Sequence, residues 1–157
     1  MKKFLPCLSL MLLFVAGCKP AGAEKTASRA PSATSKETLA QAAGKSWKLD
    51  RWVGVDGTAR DPGPITMAVD ENNRVSGNSG VNRYSGTVGF TGAGATDFGS
   101  NFVSTRMMGL PEAAARETRF LAELGLIRAA GLENGRLVLT GDGALRLEFA
   151  PAPGSAP

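Results

Sequence analysis

Two glycine-containing dipeptides near the C-terminus constrain the fold of this chain more than any other feature. Asn134-Gly135 and Asp142-Gly143 favour the tight turns of β-hairpins. Between and after them, apolar residues alternate with other residues, which is the period of a strand with one buried face. Strands joined by such short turns run antiparallel, because a parallel pair needs a long crossover. The alternating residues are Leu137, Leu139, Leu145, Leu147 and Phe149.

Shorter runs earlier in the chain predict further strands. The first begins near Ser46, and its period of two places Trp52 on the face opposite Trp47. An exposed Trp52 would mark a contact patch, and the alternative is that a partner element covers it. Leu49, Arg51 and Val53 would lie on the same face as Trp47. The other early strands are expected at 65–69, from Val75 after the Asn72-Asn73 turn, at 84–90, at 96–98 and at 102–105.

A single helix is predicted from Pro111 to the residue before Gly125. Proline suits a first helical position, and glycine is common just after the last turn. Its apolar stripe would contain Ala113, Ala114, Phe120, Leu121 and Leu124, with Arg116, Arg119 and Glu123 largely outside it. The predicted fold class is therefore α+β, an antiparallel sheet of about six to eight strands with one packed α-helix.

Residues 1–17 have the zones of a secretory signal peptide. The apolar run that ends at Gly17 would span about 21 Å as a helix, less than the roughly 30 Å of a bilayer core. Val15-Ala16-Gly17-Cys18 resembles the lipobox of bacterial lipoproteins, where signal peptidase II cuts before the cysteine that receives the lipid chains, such as palmitate. We therefore expect membrane anchoring through Cys18. The alternative is ordinary cleavage at Ala21-Gly22-Ala23, which would release a soluble protein.

Lys19, directly after the predicted cleavage site, bears on which membrane holds the protein. In bacteria with two membranes, retention in the inner membrane resembles a pattern with aspartate at this position. We therefore expect a lipid-anchored protein of the cell envelope, at the outer membrane and facing the periplasm.

Composition divides the mature chain into three parts. Residues 18–45 contain the lipidated cysteine and then mostly small and polar residues, so they predict a flexible tether. Residues 46–150 contain the alternating patterns and have the size of one domain. Residues 151–157 are predicted to be a disordered tail.

The predicted domain is nearly neutral and lacks the side chains of many active sites. From Ser46 onward, 11 basic and 12 acidic residues give a net charge of −1, so the leader and the tether account for the positive net charge of the whole chain, +4. We therefore expect no nucleic-acid partner. The chain has no histidine, and its two cysteines are Cys7 and Cys18. Without the commonest zinc ligands, thiol nucleophile and imidazole base in this domain, we expect no metal, no cofactor and no catalytic residues.

A glycine-rich motif in the middle of the chain resembles a known family. The pattern G-x-x-G-x-N-x-Y-x-G is followed by T-R-M and then by the predicted helix. This order resembles the META domain, the HslJ-like family of bacterial envelope proteins, over about residues 46–149. The resemblance implies a sheet that curls around the helix as a partial barrel, and a link to envelope integrity, stress response and tolerance of some antibiotics. The motif residues, structural or binding, are Gly77, Gly80, Asn82, Arg83, Tyr84, Gly86, Thr105, Arg106 and Met107.

Two positions depart from the family pattern. Many members have cysteine where this chain has Val81 and Gly109. The loss of both is what we expect if the two form a disulfide in those members, because a lone thiol in an oxidising compartment risks wrong pairing.

The residues leave two functions open. Asn82 would hold a turn and Tyr84 would lie half-buried with its hydroxyl satisfied, or the two would form a ligand site with Arg83 and Arg106. The first function is a non-enzymatic envelope lipoprotein that acts through contacts with an envelope protein. The alternative is a periplasmic carrier whose curled sheet encloses an apolar pocket for a small ligand.

Overall fold

The computed structural model describes residues 34–92, 94–99 and 102–153. Within them the chain forms an antiparallel sheet of nine strands, a two-stranded sheet and two helices. The large sheet curls into a half-barrel with one helix packed on it, which confirms the predicted fold class. The elements are α1 (Ser35–Ala42), β1 (Ser46–Val53), β2 (Ala59–Arg60), β3 (Thr66–Val69), β4 (Arg74–Asn78), β5 (Arg83–Thr87), β6 (Gly89–Phe90), β7 (Thr96–Asp97), β8 (Val103–Ser104), α2 (Pro111–Leu124), β9 (Ile127–Glu133), β10 (Arg136–Gly141) and β11 (Arg146–Pro151).

The predicted hairpins set the order of the C-terminal strands. The large sheet has the order β8-β5-β4-β3-β1-β11-β10-β9, and β2 pairs with β1. Asn134 and Gly135 both have positive φ, 51° and 77°, as a type I′ turn between β9 and β10 requires. Asp142 and Gly143 lie in the loop that joins β10 to β11. The described strands outnumber the six to eight predicted because β2, β6, β7 and β8 have two residues each.

A β-bulge reverses the faces predicted for the second half of β1. The pairing of β1 with β11 shifts between Leu49 and Arg51, so the residues after the bulge change sides. Trp52 is therefore in the core, 1% exposed, whereas Arg51 is exposed. The prediction that Arg51 and Val53 share the Trp47 face, with Trp52 opposite, is wrong. Of the two alternatives for Trp52, coverage by a partner element is the one observed.

Helix α1 contradicts the prediction of a flexible tether up to residue 45. Thr34 forms a capping box with Glu37, in which each side chain accepts a hydrogen bond from the backbone N–H of the other residue. Leu39 and Ala42 are fully buried, and the helix packs against β9 and β3. So short a helix is stable here because packing supplies most of the stability of helices in proteins. The predicted signal peptide and tether residues up to 33 lie outside the described residues.

The C-terminal boundary of the domain also lies further out than predicted. Pro151 pairs with Trp47 at the end of β11, and the Ala152 N–H donates to the Ser46 carbonyl over 2.8 Å. The predicted tail therefore does not begin at 151, and its residues from 154 onward lie outside the described residues.

Helix α2 packs on the inner face of the curled sheet. It has the predicted bounds, although Gly125 follows it with φ −66° instead of the left-handed conformation common after a helix. The Phe120 ring meets the Trp52 ring at 6.0 Å and the Tyr84 ring at 5.6 Å, both edge to face. Because these fully packed side chains occupy the interior, that space is a core and not the apolar pocket that a carrier would need.

Candidate functional site

Two motif glycines lie where a backbone carbonyl or an aromatic ring leaves no space for a side chain. A Cβ on Gly77 would lie 2.0 Å from the carbonyl oxygen of Thr66 and 3.0 Å from the ring of Tyr84. The Tyr84 hydroxyl donates to the same Thr66 oxygen over 3.0 Å. A Cβ on Gly86 would lie 2.7 Å from the ring of Phe102. These glycines allow the two rings to pack against β4 and β5.

Tyr84 is more deeply buried than predicted. It is 2% exposed, and burial raises the pKa of its hydroxyl, which therefore remains a hydrogen-bond donor. Gly80, in the turn before it, has φ 122°, a conformation that favours glycine. Both residues therefore serve the fold.

Asn82 joins segments that are far apart in sequence. Its side-chain oxygen accepts from the Thr105 hydroxyl over 2.8 Å and from the Met107 N–H over 2.7 Å. Its side-chain amide donates to Glu117 of α2 over 2.7 Å. Asn82 is 5% exposed, and both of its side-chain polar atoms are used inside the fold. The structure therefore supports the structural role of Asn82 that the sequence left open.

Glu117 provides the buried acceptor for this turn. Its carboxylate accepts from the Ser79 hydroxyl over 2.8 Å, the Asn82 N–H over 2.8 Å and the Val81 N–H over 3.3 Å, besides the Asn82 amide. Burial by itself would raise the pKa of Glu117, but the hydrogen bonds from Asn82, Ser79 and Val81 outweigh burial and hold the pKa below its ordinary value. A charged Glu117 thus holds α2 against the 79–82 turn.

Glu123 forms a second buried cluster on α2. It is 6% exposed and accepts from the Trp52 indole N–H over 2.6 Å and from Arg60 over 3.1 Å. Arg60 also pairs with Asp56, and its guanidinium lies 5.9 Å from the centre of the Trp52 ring. The prediction that Glu123 lies outside the packed stripe is wrong, because Arg60 and Trp52 supply the charge and the donor that allow its burial. Ala114, predicted within the stripe, is exposed.

An open groove lies on the outer side of β4, β5 and β8, next to the motif. Its volume is about 650 Å³. Arg83 lines it because neighbouring residues of a strand face opposite sides, and the ring of Tyr84 points into the core. Six residues with hydroxyl or amide groups also line the groove, together with Gly77, the edge of Tyr84 and the apolar Val103: Thr66, Ser76, Asn78, Ser85, Ser104 and Thr105. This arrangement suits an anionic group of a ligand or partner.

Three arginines without a carboxylate partner among the described residues lie on or next to β4, β5 and β8. Of the ten arginines from Ser46 onward, six form ion pairs: Arg51, Arg60, Arg116, Arg128, Arg136 and Arg146. Arg74, Arg83, Arg106 and Arg119 form none with the described residues. Arg74 and Arg83 stand on β4 and β5, and Arg106 follows β8. This side of the sheet therefore favours negatively charged partners.

Three motif residues, Thr105, Arg106 and Met107, belong to an exposed loop that follows β8. We call residues 105–110 the TRM loop. Of the five large apolar residues that are exposed in the described part, four are Val103 next to this loop and Met107, Met108 and Leu110 within it. Arg106 and Met107 are therefore exposed and Arg83 lines the groove, whereas the other motif residues meet at the turn and in the sheet behind the groove.

The remaining predictions concern the lipidation site and metal ligands, and the described helices can also be checked for a membrane span. Cys18 and its recognition residues Val15, Ala16 and Gly17 lie outside the described residues. Among the residues that are described, no three acidic, cysteine or histidine side chains group as metal ligands. No helix in this part of the chain has the length and hydropathy to cross a membrane.

Comparison with known proteins identifies the family. The model of the family described as META domain matches residues 38–154. The chain belongs to the META domain family. The resemblance inferred from the motif is thus confirmed. A search of the curated proteins found no match.

Solved structures share the META fold. An NMR structure of a protein from Burkholderia xenovorans is similar with a TM-score of 0.63 at 26% identity, covering 85% of this chain and 99% of that one. A second NMR structure has a TM-score of 0.51 at 22% identity, covers 72% of this chain and 93% of that one, and shows the likeness of fold alone.

The two departures from the META pattern are neighbours in space. A Cβ on Gly109 would lie 3.2 Å from the Cβ of Val81 and 2.4 Å from its Cγ2. Disulfides have Cβ separations of about 3.5–4.5 Å, so cysteines at both positions need only a small adjustment to pair. In this META domain, glycine at 109 leaves room for the methyl groups of Val81.

Proposed function

We propose that this chain is a non-enzymatic envelope lipoprotein whose META domain supports envelope integrity and tolerance of stress and antibiotics. It acts through contact with another envelope protein. Lipid chains on Cys18 hold it at the outer membrane, and the domain extends into the periplasm. Arg83 in the groove receives a carboxylate of the partner.

The proposal rests on the different roles of neighbouring motif residues, some of which hold the fold while one faces solvent. Asn82 and Tyr84 use their polar atoms inside the fold, on Glu117 and on the Thr66 carbonyl. Arg83, between them in sequence, faces an open groove and has no carboxylate partner among the described residues. A solvated arginine in a groove of hydroxyl groups suits binding, and the lack of histidine and cysteine from Ser46 onward supports a role other than catalysis.

Charge reversal at Arg83 tests this proposal. A strain without the gene is complemented with the wild-type chain, with Arg83→Glu or with Arg119→Glu, and its growth in detergent and in antibiotics is measured. Arg119 is the matched control because it also forms no ion pair with the described residues but lies on α2, away from the groove. We expect Arg83→Glu to fail and Arg119→Glu to restore growth, with equal protein levels in the envelope. Full complementation by Arg83→Glu, or a deletion strain as tolerant as its parent, would contradict the proposal.

A further inference from the structure

The TRM loop presents an apolar tip that the fold does not use. Met108 is 100% exposed, Leu110 78% and Met107 60%. Residues 105–110 belong to no helix or strand, so these side chains project from irregular backbone. Contiguous exposed apolar side chains of this size mark a contact with a protein or a membrane.

The charge around this tip favours an anionic surface. Arg106 is the only charged residue between 102 and 111 in the sequence, and it forms no ion pair with the described residues. The Thr105 N–H donates to the Arg83 carbonyl over 3.0 Å, so the loop begins beside a second arginine without an ion pair. Glu112 is the first acidic residue after the loop. Apolar side chains next to free cations are the composition that binds the interface of anionic bilayers.

We infer that the TRM loop docks on the anionic lipid surface to which the protein is anchored. Met107, Met108 and Leu110 enter the boundary between headgroups and acyl chains, and Arg106 contacts lipid phosphates. This inference rests on the proposed anchor at Cys18. So small an apolar tip binds a bilayer weakly, but an anchored domain meets the bilayer at a high effective concentration, so weak affinity suffices. Docking would fix which face of the domain looks toward the membrane.

A label at position 108 of the full-length mature protein tests the inference. Cys7 leaves with the signal peptide and Cys18 is acylated, so Met108→Cys supplies the one free thiol for an environment-sensitive fluorophore. The labelled protein is placed in vesicles of phosphatidylethanolamine and phosphatidylglycerol. The control is Val55→Cys, since Val55 is an exposed apolar residue outside the loop, 37% exposed. Met108 is fully exposed, so its replacement removes no packing contact.

We expect the emission at 108 to shift to shorter wavelength and to lose quenching by acrylamide, while the label at 55 remains quenched. Arg106→Gln and high salt should each reduce the shift at 108, because both weaken the attraction to lipid phosphates. A label at 108 that is quenched as strongly as the label at 55 overturns the inference, and so does equal protection at both positions. If the label at 108 is protected as well in pure phosphatidylcholine vesicles as in anionic vesicles, the preference for anionic lipid is overturned. Protection that needs an added envelope protein fraction assigns the loop to a protein partner and also overturns it.

The mass of the purified protein separates this inference from the proposed function. A mature protein without acyl chains overturns the anchor and the docking together. An acylated protein whose label at 108 stays in water overturns the docking alone.

Discussion

At the scale of residues, the META motif is held by one buried carboxylate. Glu117 lies on the same face of α2 as Phe120 and Leu124, since these positions are three and four residues apart. The spacing could therefore have predicted that Glu117 is buried, but not its partners, because the 79–82 turn is 35 residues away in sequence. The pattern alone locates the glycines of the motif. The physical reasons for them, such as the Thr66 carbonyl over Gly77, depend on packing between strands.

Removing the Glu117 carboxylate should destabilise the domain strongly. Glu117→Ala leaves the backbone N–H groups of Val81 and Asn82 without an acceptor. It also removes the shorter acceptor of the Asn82 amide and of the Ser79 hydroxyl, which keep the Met107 carbonyl at 3.4 Å and the Asn82 carbonyl at 2.9 Å. Each buried donor left unsatisfied costs about 1–3 kcal/mol, so we expect the free energy of unfolding to fall by about 3 kcal/mol or more. Glu112→Ala, at an exposed position in the first turn of the same helix, should cost less than about 1 kcal/mol. Urea unfolding of both variants gives the comparison, and equal losses would show that Glu117 is not the anchor of the turn.

The same carboxylate predicts a dependence of stability on pH. The pKa of Glu117 in the folded protein lies below its ordinary value of 4.5. Ionised Glu117 therefore contributes stability above pH 4.5, and this contribution is lost as the pH falls from there through the folded-state pKa. Glu117→Gln removes this contribution of the ionised carboxylate. The difference in unfolding free energy between the wild type and this variant should therefore shrink below pH 4.5. A difference that stays constant through that range would mean that the folded-state pKa is not lowered.

Because positions 81 and 109 are close together, we predict that a disulfide can be engineered between them. Val81→Cys with Gly109→Cys should oxidise readily, because the Cβ atoms are about as far apart as a disulfide needs. A disulfide between positions 81 and 109 closes the chain between them into a loop. It should raise the free energy of unfolding by about 3 kcal/mol, and this gain should be lost in reductant. Gly109→Cys alone adds a thiol and no stability, since its Cβ meets the methyl groups of Val81. Denaturant unfolding with and without reductant measures both variants, and a double variant that stays reduced in air would refute the pairing.

At the scale of elements, local patterns predicted what local sequence determines. The hairpins and the bounds of α2 follow from turn dipeptides, proline and periodicity, and they were predicted correctly. The bulge in β1 and helix α1 were missed because each depends on a distant partner: β11 for the shift at Arg51, and β9 and β3 for the burial of Leu39. One local signal for α1 was present, since Thr34 and Glu37 have the spacing of a capping box.

Helix α1 should contribute measurably to the stability of the domain. Leu39→Ala removes a fully buried side chain and should lower the free energy of unfolding by about 2–5 kcal/mol. Gln41→Ala, at an exposed position of the same helix, should change it by no more than about 0.5 kcal/mol. Thermal and urea unfolding of the two variants provide the measurement. If Leu39→Ala were as stable as Gln41→Ala, α1 would be a peripheral addition and not part of the core.

At the scale of the whole molecule, charge separates the chain into parts with different surroundings. The excess of positive charge precedes Ser46, whereas six arginines of the domain are paired with carboxylates and three of the four others lie along β4, β5 and the TRM loop. Composition revealed the near-neutral domain, but only the fold places Arg74 and Arg83 on neighbouring strands and starts the loop of Arg106 beside Arg83. A nearly neutral domain with one positive side can lie near anionic lipid without being covered by it.

The position of Lys19 predicts where the whole molecule resides. If Cys18 is acylated and Lys19 permits sorting, fractionation of a two-membrane bacterium should find the wild-type chain in the outer membrane. Lys19→Asp should move it to the inner membrane with the same acyl mass, because aspartate after the acylated cysteine resembles the retention pattern. Lys19→Arg is the matched control and should leave it in the outer membrane. Since only the residue after Cys18 changes, the folded domain is identical in all three proteins, and a shift of fraction reports sorting alone. An inner-membrane wild type, or a Lys19→Asp chain that stays in the outer membrane, would contradict this assignment.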